Sequence, residues 1–262
     1  MMDSIINRQG KTISIQVEGI ESTPVIIFSN SLGTDKTMWD GQAEYFKDRY
    51  RVVRYDTRGH GKSDVIEGTT LASLGEDVID ILDALNIGQA HFCGISMGGI
   101  TALWLAINAS DRFYSITVSN SAAKIGQTDA WLNRANQVEV NGLSDLAKTT
   151  HSRWFSHKFD YQHNPLAQKT ILSLAHTPPQ GYVNACRALA YADVRTALAQ
   201  IEKPTLVICG TQDPVTTVQD GEVIKERVQD SVIAKIEASH LSNIECPDEF
   251  NQILSNFIDS TQ

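Results

Sequence analysis

Short apolar runs alternate with amphipathic helical segments along most of this chain, and this alternation restricts the folds open to it. Residues 25–28 are continuously apolar, as in a strand buried on both faces, whereas residues 71–85 place their apolar side chains on one helical face. The pattern is typical of a mostly parallel sheet covered by helices on both faces. The predicted strands span residues 12–18, 25–28, 51–55, 90–93, 116–119, 206–209 and 232–236, and the predicted helices span 39–46, 71–85, 97–109, 218–228 and 248–258.

The alternation stops between residues 122 and 191. This stretch has no strand-like run, is helical in tendency and carries many aromatic residues and histidines. It is too long for a simple connecting loop. We therefore predict a helical lid at residues 122–191, inserted into a core formed by residues 1–121 and 192–262.

Composition excludes several classes of function. The 262 residues are 42% hydrophobic, which is enough for a core, and the net charge is −9. That charge argues against nucleic acid or an anionic membrane surface as the main partner. The N-terminal residues do not resemble a signal peptide, and no window approaches the apolar length of a membrane span, so we expect a cytoplasmic protein.

The sequence also predicts no metal and no cofactor. Cys93, Cys186, Cys209 and Cys246 are far apart and lack C-x-x-C spacing, so we interpret them as reduced core thiols. The chain has no dinucleotide-binding glycine fingerprint and no H-E-x-x-H metal motif. Residues 61–63 resemble the end of a phosphate-binding loop, but the first glycine of that motif is missing.

A G-x-S-x-G run at residues 94–98 lies between a predicted strand and a predicted helix. This is the context of a nucleophile elbow, in which a serine, here Ser96, is held in a strained turn at the end of a strand. Glycine is needed on either side because a Cβ would collide with the neighbouring strand or helix. The Met97 amide would then lie at a helix N-terminus, where it can donate to an oxyanion.

A serine nucleophile on such a sheet needs an acid and then a histidine later in the chain. Asp213 follows the predicted strand 206–209, and His240 follows the predicted strand 232–236. Both would lie at the carboxyl edge of the sheet, where the ligand-facing residues of open α/β sheets gather. Their order and placement predict a Ser96, Asp213 and His240 triad, although Asp213 precedes a proline and could be a simple turn residue.

Other candidates are weaker. Asp220, Glu237 and Glu245 lie in or near a helix or strand rather than in the strand-end turn. We interpret His60 as structural and the lid histidines as surface residues. The second oxyanion donor is assigned to the Leu32 amide, in the glycine-containing loop that follows the strand at residues 25–28. A flexible loop with no function is the alternative for this segment.

Together these residues resemble those of the α/β-hydrolases, and more closely those of the 3-oxoadipate enol-lactonases. The elbow and the Arg-Gly-His-Gly segment are shared across the superfamily, whereas Ser-Asn-Ser-Leu-Gly and His-Leu-Ser-Asn-Ile-Glu are more particular to the lactonases. The segments that carry the resemblance are residues 29–34, 38–40, 54–61, 93–99, 209–216 and 238–245.

The resemblance implies the α/β-hydrolase fold, with a mostly parallel eight-stranded sheet flanked by helices and an inserted helical lid. It further implies that the protein hydrolyses a five-membered enol-lactone bearing a carboxylate, in the catabolism of aromatic acids. Ser96 would attack the lactone carbonyl, His240 would take its proton, Asp213 would orient the imidazole, and the Leu32 and Met97 amides would bind the oxyanion.

A substrate carboxylate calls for a cation near the pocket. Arg134 and Arg153 in the predicted lid are the candidates, with Trp131 and Trp154 as apolar walls. The alternative for each arginine is a solvated lid surface. Two other functions remain open: a general carboxylesterase or perhydrolase with the same triad, and a binding protein of this fold without catalysis.

Overall fold

The computed structural model describes residues 3–261, which form an eight-stranded sheet flanked by helices. The strand order across the sheet is β1-β2-β4-β3-β5-β6-β7-β8. The strands are β1 (Ser4–Ile6), β2 (Thr12–Glu18), β3 (Val25–Ser29), β4 (Arg51–Tyr55), β5 (Ala90–Ile95), β6 (Phe113–Ser119), β7 (Thr205–Gly210) and β8 (Ser231–Ile236).

Strand direction puts the candidate residues at one edge of the sheet. Strands β1 and β2 pair antiparallel, as do β2 and β4, whereas every pairing from β4 to β8 is parallel. The chain crosses from β4 past β3 to β5, so the strand order reverses beside β3. In open α/β sheets, ligands bind at the carboxyl ends of the strands next to such a reversal.

Helices cover the sheet because its central strands are buried on both faces. Every residue of β3, β5 and β7 is buried, which explains their uninterrupted apolar runs. The helices are α1 (Asp40–Phe46), α2 (Leu71–Ala84), α3 (Met97–Asn108), α4 (Thr128–Asn141), α5 (Ser144–Thr149), α6 (His151–Trp154), α7 (Pro165–His176), α8 (Pro179–Tyr191), α9 (Val218–Arg227), α10 (Ser242–Glu245) and α11 (Pro247–Ser260), with short 3₁₀ turns at Lys36–Trp39, Ser110–Arg112 and Leu198–Gln200.

Five helices, α4 to α8, connect β6 to β7, and residues 122–191 contain no strand. Helix α4 packs along α8. The backbone of Gly181 in α8 lies so close to that of Gly59 that a Cβ on either residue would overlap the other. Through this contact the helical segment packs directly on the loop after β4. The division of the chain into a core and a separate lid at residues 122–191 stays a prediction.

The predicted fold class is confirmed, and each predicted strand and helix is present with ends that shift by up to three residues. Two features differ. The sequence pattern missed β1, an edge strand of three residues that is too short to show a periodicity. All four cysteines are free thiols, but Cys246 is half-buried rather than in the core, because it lies in the short connection between α10 and α11.

Within residues 3–261, no helix has the length and apolar character needed to cross a bilayer.

His91 in β5 makes the stability of the fold depend on pH. The residue is 3% exposed, its Nδ1 lies 2.8 Å from Ser115 Oγ, and burial lowers the pKa of the imidazole from 6.5 to about 4. Between pH 6.5 and about pH 4, His91 is protonated in the unfolded chain but neutral in the folded chain. The free energy of unfolding therefore decreases as the pH falls through this range.

We expect His91→Asn to flatten this dependence. The free energy of unfolding of the wild-type protein should fall relative to that of the variant by about 2–3 kcal/mol between pH 7 and pH 4.5. Urea unfolding at the two pH values measures the difference. Parallel losses in both proteins would contradict the assignment.

Candidate active site

Ser96 lies in the turn between β5 and α3, with a left-handed backbone at φ 57° and ψ −113°. Such a backbone is costly for a residue with a side chain and persists only where the surroundings hold it. The Ser96 N–H donates to the carbonyl of Ser119 at 3.0 Å, and its carbonyl accepts from Ser121 Oγ at 2.7 Å. Ser119 is the last residue of β6 and Ser121 follows two residues later, so the adjacent strand and the start of its loop fix the turn.

The elbow glycines have the steric reason that the sequence predicts. A Cβ on Gly94 would overlap the carbonyl of Gly98, and a Cβ on Gly98 would overlap the backbone of Ser29 in β3. These groups are main chain and cannot rotate away. The turn can therefore close only because both positions lack side chains.

Asp213 and His240 come together from two neighbouring loops. Asp213 follows β7, His240 follows β8, and Asp213 Oδ2 lies 2.8 Å from His240 Nδ1. The side chains are buried, at 6% and 2% exposure for the two residues. This bond leaves Nε2 on the opposite side of the imidazole. Ser96 and His240 line the same cavity. No hydrogen bond joins their side chains within residues 3–261; such bonds are often long before substrate binds.

The Asp213 carboxylate has an unusually complete set of donors. Besides His240, it accepts from Asn120 Nδ2 at 3.0 Å, from Thr216 Oγ1 at 2.9 Å, and from the N–H groups of Val215 at 2.7 Å and Thr216 at 3.1 Å. Burial alone would raise the pKa of Asp213, but the charge of His240 and these hydrogen bonds outweigh it and hold the pKa below its ordinary value. The group is therefore an anion suited to orienting an imidazole.

Sequence reasoning missed the segment that joins these groups. Asn120, with φ 42°, bonds Asp213 and also the carbonyl of Ser239 at 3.0 Å, while Ser119 and Ser121 hold the Ser96 turn. The available signal was a polar Ser-Asn-Ser run directly after an apolar strand, at the same edge as the other candidates. Its partners lie far away in the chain, so no local pattern revealed them.

The two amides assigned to the oxyanion have no acceptor in the part of the chain that the structure describes. Leu32 and Met97 are buried, and within residues 3–261 neither backbone N–H donates a hydrogen bond. The loop that carries Leu32 is tied to the start of α3, because the Gly98 N–H donates to the carbonyl of Asn30 at 3.1 Å. Gly33 has φ 81°, and a Cβ there would press into the side chain of Leu174. Both donors are thus held on rigid backbone.

A cavity of about 260 Å³ opens above Ser96. This volume suits a small ligand rather than a drug-sized one. The helices between β6 and β7 supply much of its wall, and His240 is the only histidine among the described lining residues. The lining is Ser31, Leu32, Ser96, Gly126, Gln127, Ala130, Trp131, Arg134, Thr150, Arg153, Trp154, Leu174, Tyr182, Pro214, Val215 and His240.

Two arginines make this cavity positive in a protein of net charge −9. Arg134 and Arg153 are half-buried in its wall, and within the described chain neither has a carboxylate within 4.0 Å. The Arg134 guanidinium lies 5.7 Å from the centre of the Trp131 ring. Burial, and next the charge of Arg134, lower the pKa of Arg153. An anionic ligand group would relieve both the desolvation and the repulsion.

The other charged candidates are engaged elsewhere. The Asp220 carboxylate caps α9, Glu237 pairs with Lys158 at 2.8 Å, and Glu245 accepts from the Ser239 N–H at 2.9 Å. His60 is buried with Nδ1 3.1 Å from the Arg58 carbonyl. His151, His157, His163 and His176 lie outside the cavity lining. The described residues contain no group of three or more side chains placed to hold a metal ion.

Known proteins resemble this chain closely. A family model described as the alpha/beta hydrolase fold matches residues 24–247. The sequence is 64% identical to 3-oxoadipate enol-lactonase 1 of Acinetobacter baylyi, over 98% of this chain and 97% of that protein. It is 47% identical to 3-oxoadipate enol-lactonase 2 of the same organism, over 94% and 92%. The crystal structure of the enol-lactonase from Burkholderia xenovorans LB400 superposes with a TM-score of 0.95 at 34% identity, covering 98% and 99%.

We expect Gly94→Ala to disrupt the elbow, because its Cβ meets main-chain atoms that cannot move aside. The substitution should cost about 2 kcal/mol or more of unfolding free energy. Gly41→Ala in α1 is the matched control, since open space surrounds that position. The control should be neutral or gain about 0.5–1 kcal/mol from the better helix former. Equal unfolding midpoints for the two variants in urea would refute the steric argument.

Proposed function

This chain belongs to the α/β-hydrolase family and, within it, to the 3-oxoadipate enol-lactonases, and we propose that it hydrolyses 3-oxoadipate enol-lactone to 3-oxoadipate. The observation that carries the proposal is a serine, histidine and aspartate arrangement below a small cavity that holds two arginines, neither of which has a carboxylate partner within residues 3–261. The enol-lactone has the two features this cavity suits: an activated ester carbonyl and a carboxylate.

In the first half of the reaction, Ser96 attacks the lactone carbonyl. Nε2 of His240 takes the hydroxyl proton, and Asp213 holds Nδ1 and stabilises the imidazolium. The negative charge on the carbonyl oxygen is received by the N–H groups of Leu32 and Met97, and the loss of one such donor typically slows a reaction by about 100- to 1,000-fold. The carbon–oxygen bond of the ring then breaks, and an enolate leaves.

The second half of the reaction releases the product. The enolate is a better leaving group than an alkoxide, so cleavage of the ring bond depends less on a proton from His240. The enolate stays joined to the acyl chain, takes the proton from the imidazolium and tautomerises to the ketone, which leaves His240 neutral and able to act as a base again. The acyl chain stays attached to Ser96 until water attacks the ester carbonyl. His240 removes a proton from that water and returns it to Ser96, which completes the hydrolysis.

The arginines supply specificity in this proposal. Arg134 and Arg153 bind the substrate carboxylate, and the rings of Trp131 and Trp154 pack against the carbon skeleton. A guanidinium in a partly dehydrated wall binds a carboxylate more strongly than the same group in water. The arginine pair therefore favours the anionic lactone over the neutral esters of a general carboxylesterase. A cytoplasmic location stays a prediction from the sequence.

We expect Ser96→Ala to lower kcat on 3-oxoadipate enol-lactone by about 10,000-fold or more. The assay follows the loss of ultraviolet absorbance of the lactone, and labelling by a fluorophosphonate should vanish in the same variant. Ser152→Ala, an exposed lid serine, is the control and should keep both properties. A wild-type protein that neither turns over the lactone nor reacts with the probe would favour a binding protein without catalysis.

We expect Arg134→Ala and Arg153→Ala each to raise KM for the lactone by about 10- to 100-fold, through loss of a charged hydrogen bond. Turnover of p-nitrophenyl acetate, which has no carboxylate, should change little. Arg187→Ala removes an exposed arginine that pairs with Glu139 outside this cavity, and serves as control. If an alanine variant keeps the wild-type kcat/KM on the lactone, the arginine that it replaces does not bind the substrate carboxylate.

A further inference from the structure

The His-Leu-Ser-Asn-Ile-Glu segment contains a second ionisable side chain, Glu245, besides the His240 of the proposed triad. His240 opens this segment, and Glu245 closes it at the end of the short helix α10. Glu245 is half-buried and has no cationic partner among the residues described. In the described chain its carboxylate accepts from two serines, Ser239 in the His240 loop and Ser156 in the lid.

On one side, Glu245 holds the residue next to the histidine. Its Oε2 accepts from the Ser239 N–H at 2.9 Å. Ser239 is 1% exposed, so its N–H depends on this carboxylate rather than on solvent for an acceptor. A buried amide that loses its partner would force the loop to rearrange, and the imidazole of His240 is one residue away.

On the other side, Glu245 holds the lid. The same Oε2 accepts from the Ser156 N–H at 3.1 Å, and Oε1 accepts from Ser156 Oγ. Ser156 lies two residues after the end of α6, which contributes Arg153 and Trp154 to the cavity wall. The carboxylate thus bridges the loop that carries the proposed base and the segment that faces the substrate.

Two main-chain acceptors in the lid reinforce the bridge. The Leu241 N–H donates to the Trp154 carbonyl at 3.0 Å, and Ser239 Oγ donates to the Arg153 carbonyl at 3.3 Å. The residue before His240 is therefore bonded to Arg153 and the residue after it to Trp154, and both of these lid residues line the cavity. A shift of either segment would be transmitted to the other.

A second bridge between the same two segments provides a comparison. Lys158 Nζ lies 2.8 Å from Glu237 Oε1, but the two side chains are 64% and 70% exposed. Exposed ion pairs of this kind contribute little, because water and salt screen them. The Glu245 carboxylate is half-buried and accepts from the buried Ser239 N–H and the half-buried Ser156 N–H, and hydrogen bonds to an ionised acceptor in such surroundings are stronger. Of the two bridges, the one through Glu245 is the one able to fix geometry.

We propose that Glu245 is a positioning residue that holds His240 and the Arg153–Trp154 segment in register across the active-site cavity. The proposal rests on the function proposed above, since it assigns His240 to catalysis and Arg153 to the substrate carboxylate. Glu245 does not touch the reacting atoms. It acts through the Ser239 backbone on one side and through Ser156 on the other.

The test compares Glu245→Ala with Glu237→Gln on two substrates. In Glu245→Ala, kcat should fall on the order of 10- to 100-fold on both 3-oxoadipate enol-lactone and p-nitrophenyl acetate, as expected of a displaced catalytic group. KM should rise for the lactone alone, because only the lactone has a carboxylate for Arg153. Glu237→Gln, which breaks the exposed bridge, should leave all four constants within about twofold.

Two further variants separate positioning from simple loss of fold. Glu245→Gln keeps a carbonyl acceptor for both N–H groups and should retain kcat within about threefold. Ser156→Ala removes the Oγ hydrogen bond on the lid side, keeps the Ser156 N–H bond and does not touch the Ser239 side. It should raise KM for the lactone, less than Glu245→Ala does, while leaving kcat on p-nitrophenyl acetate unchanged. If Glu245→Ala does not fold, as judged by circular dichroism, these two variants decide the question.

Specific outcomes overturn the proposal. One is a folded Glu245→Ala protein with wild-type constants. Another is a Glu245→Gln protein whose kcat falls as far as that of Glu245→Ala, because that result would mean that the charge of Glu245 matters rather than its hydrogen bonds. A third is an unchanged lactone KM in Ser156→Ala. A wild-type protein inactive on the lactone would instead defeat the proposed function, and the p-nitrophenyl acetate constants and the rate of fluorophosphonate labelling would still test the placement of His240.

Discussion

The close approach of main chain to main chain at the end of β5 is the constraint on which the candidate site depends. Ser96 adopts a left-handed backbone there because Gly94 and Gly98 let the strand, the turn and the helix α3 meet without side chains between them. Hydrogen bonds from the end of β6 and the start of its loop hold the turn in that conformation. The strain is thus balanced by the sheet, and the serine points to the edge where the other loops converge.

Opposite charges lie on the two sides of the cavity at Ser96. Below the cavity, Asp213 receives five hydrogen bonds, which stabilise an anion at a depth where an unpaired carboxylate would take up a proton. Above it, Arg134 and Arg153 face the cavity without carboxylate partners in the described chain. The net charge of −9 gives no hint of this separation. Local placement, rather than the average, determines which ligand the cavity suits.

Hydrogen bonds around the cavity join the loop after β8 to the helices between β6 and β7. Ser239 and Leu241 on either side of His240 bond the lid at residues 153–156, partly through Glu245. Substrate selection and proton transfer would therefore share a framework in the proposed lactonase. This arrangement explains how a wall built from a separate helical segment can be aligned with groups carried by the sheet.

The sequence alone determined the strand and helix alternation, the elbow and the chain order of Ser96, Asp213 and His240, because each rests on local periodicity or on a short motif at a strand end. It did not determine β1, which is too short to show a period, nor the partners of Asn120 and Glu245. Asn120 bonds a residue 93 positions away, and Glu245 bonds one 89 positions away. Only the tertiary structure could decide such contacts, because they depend on how the strands are ordered in the sheet and on where the lid returns to it.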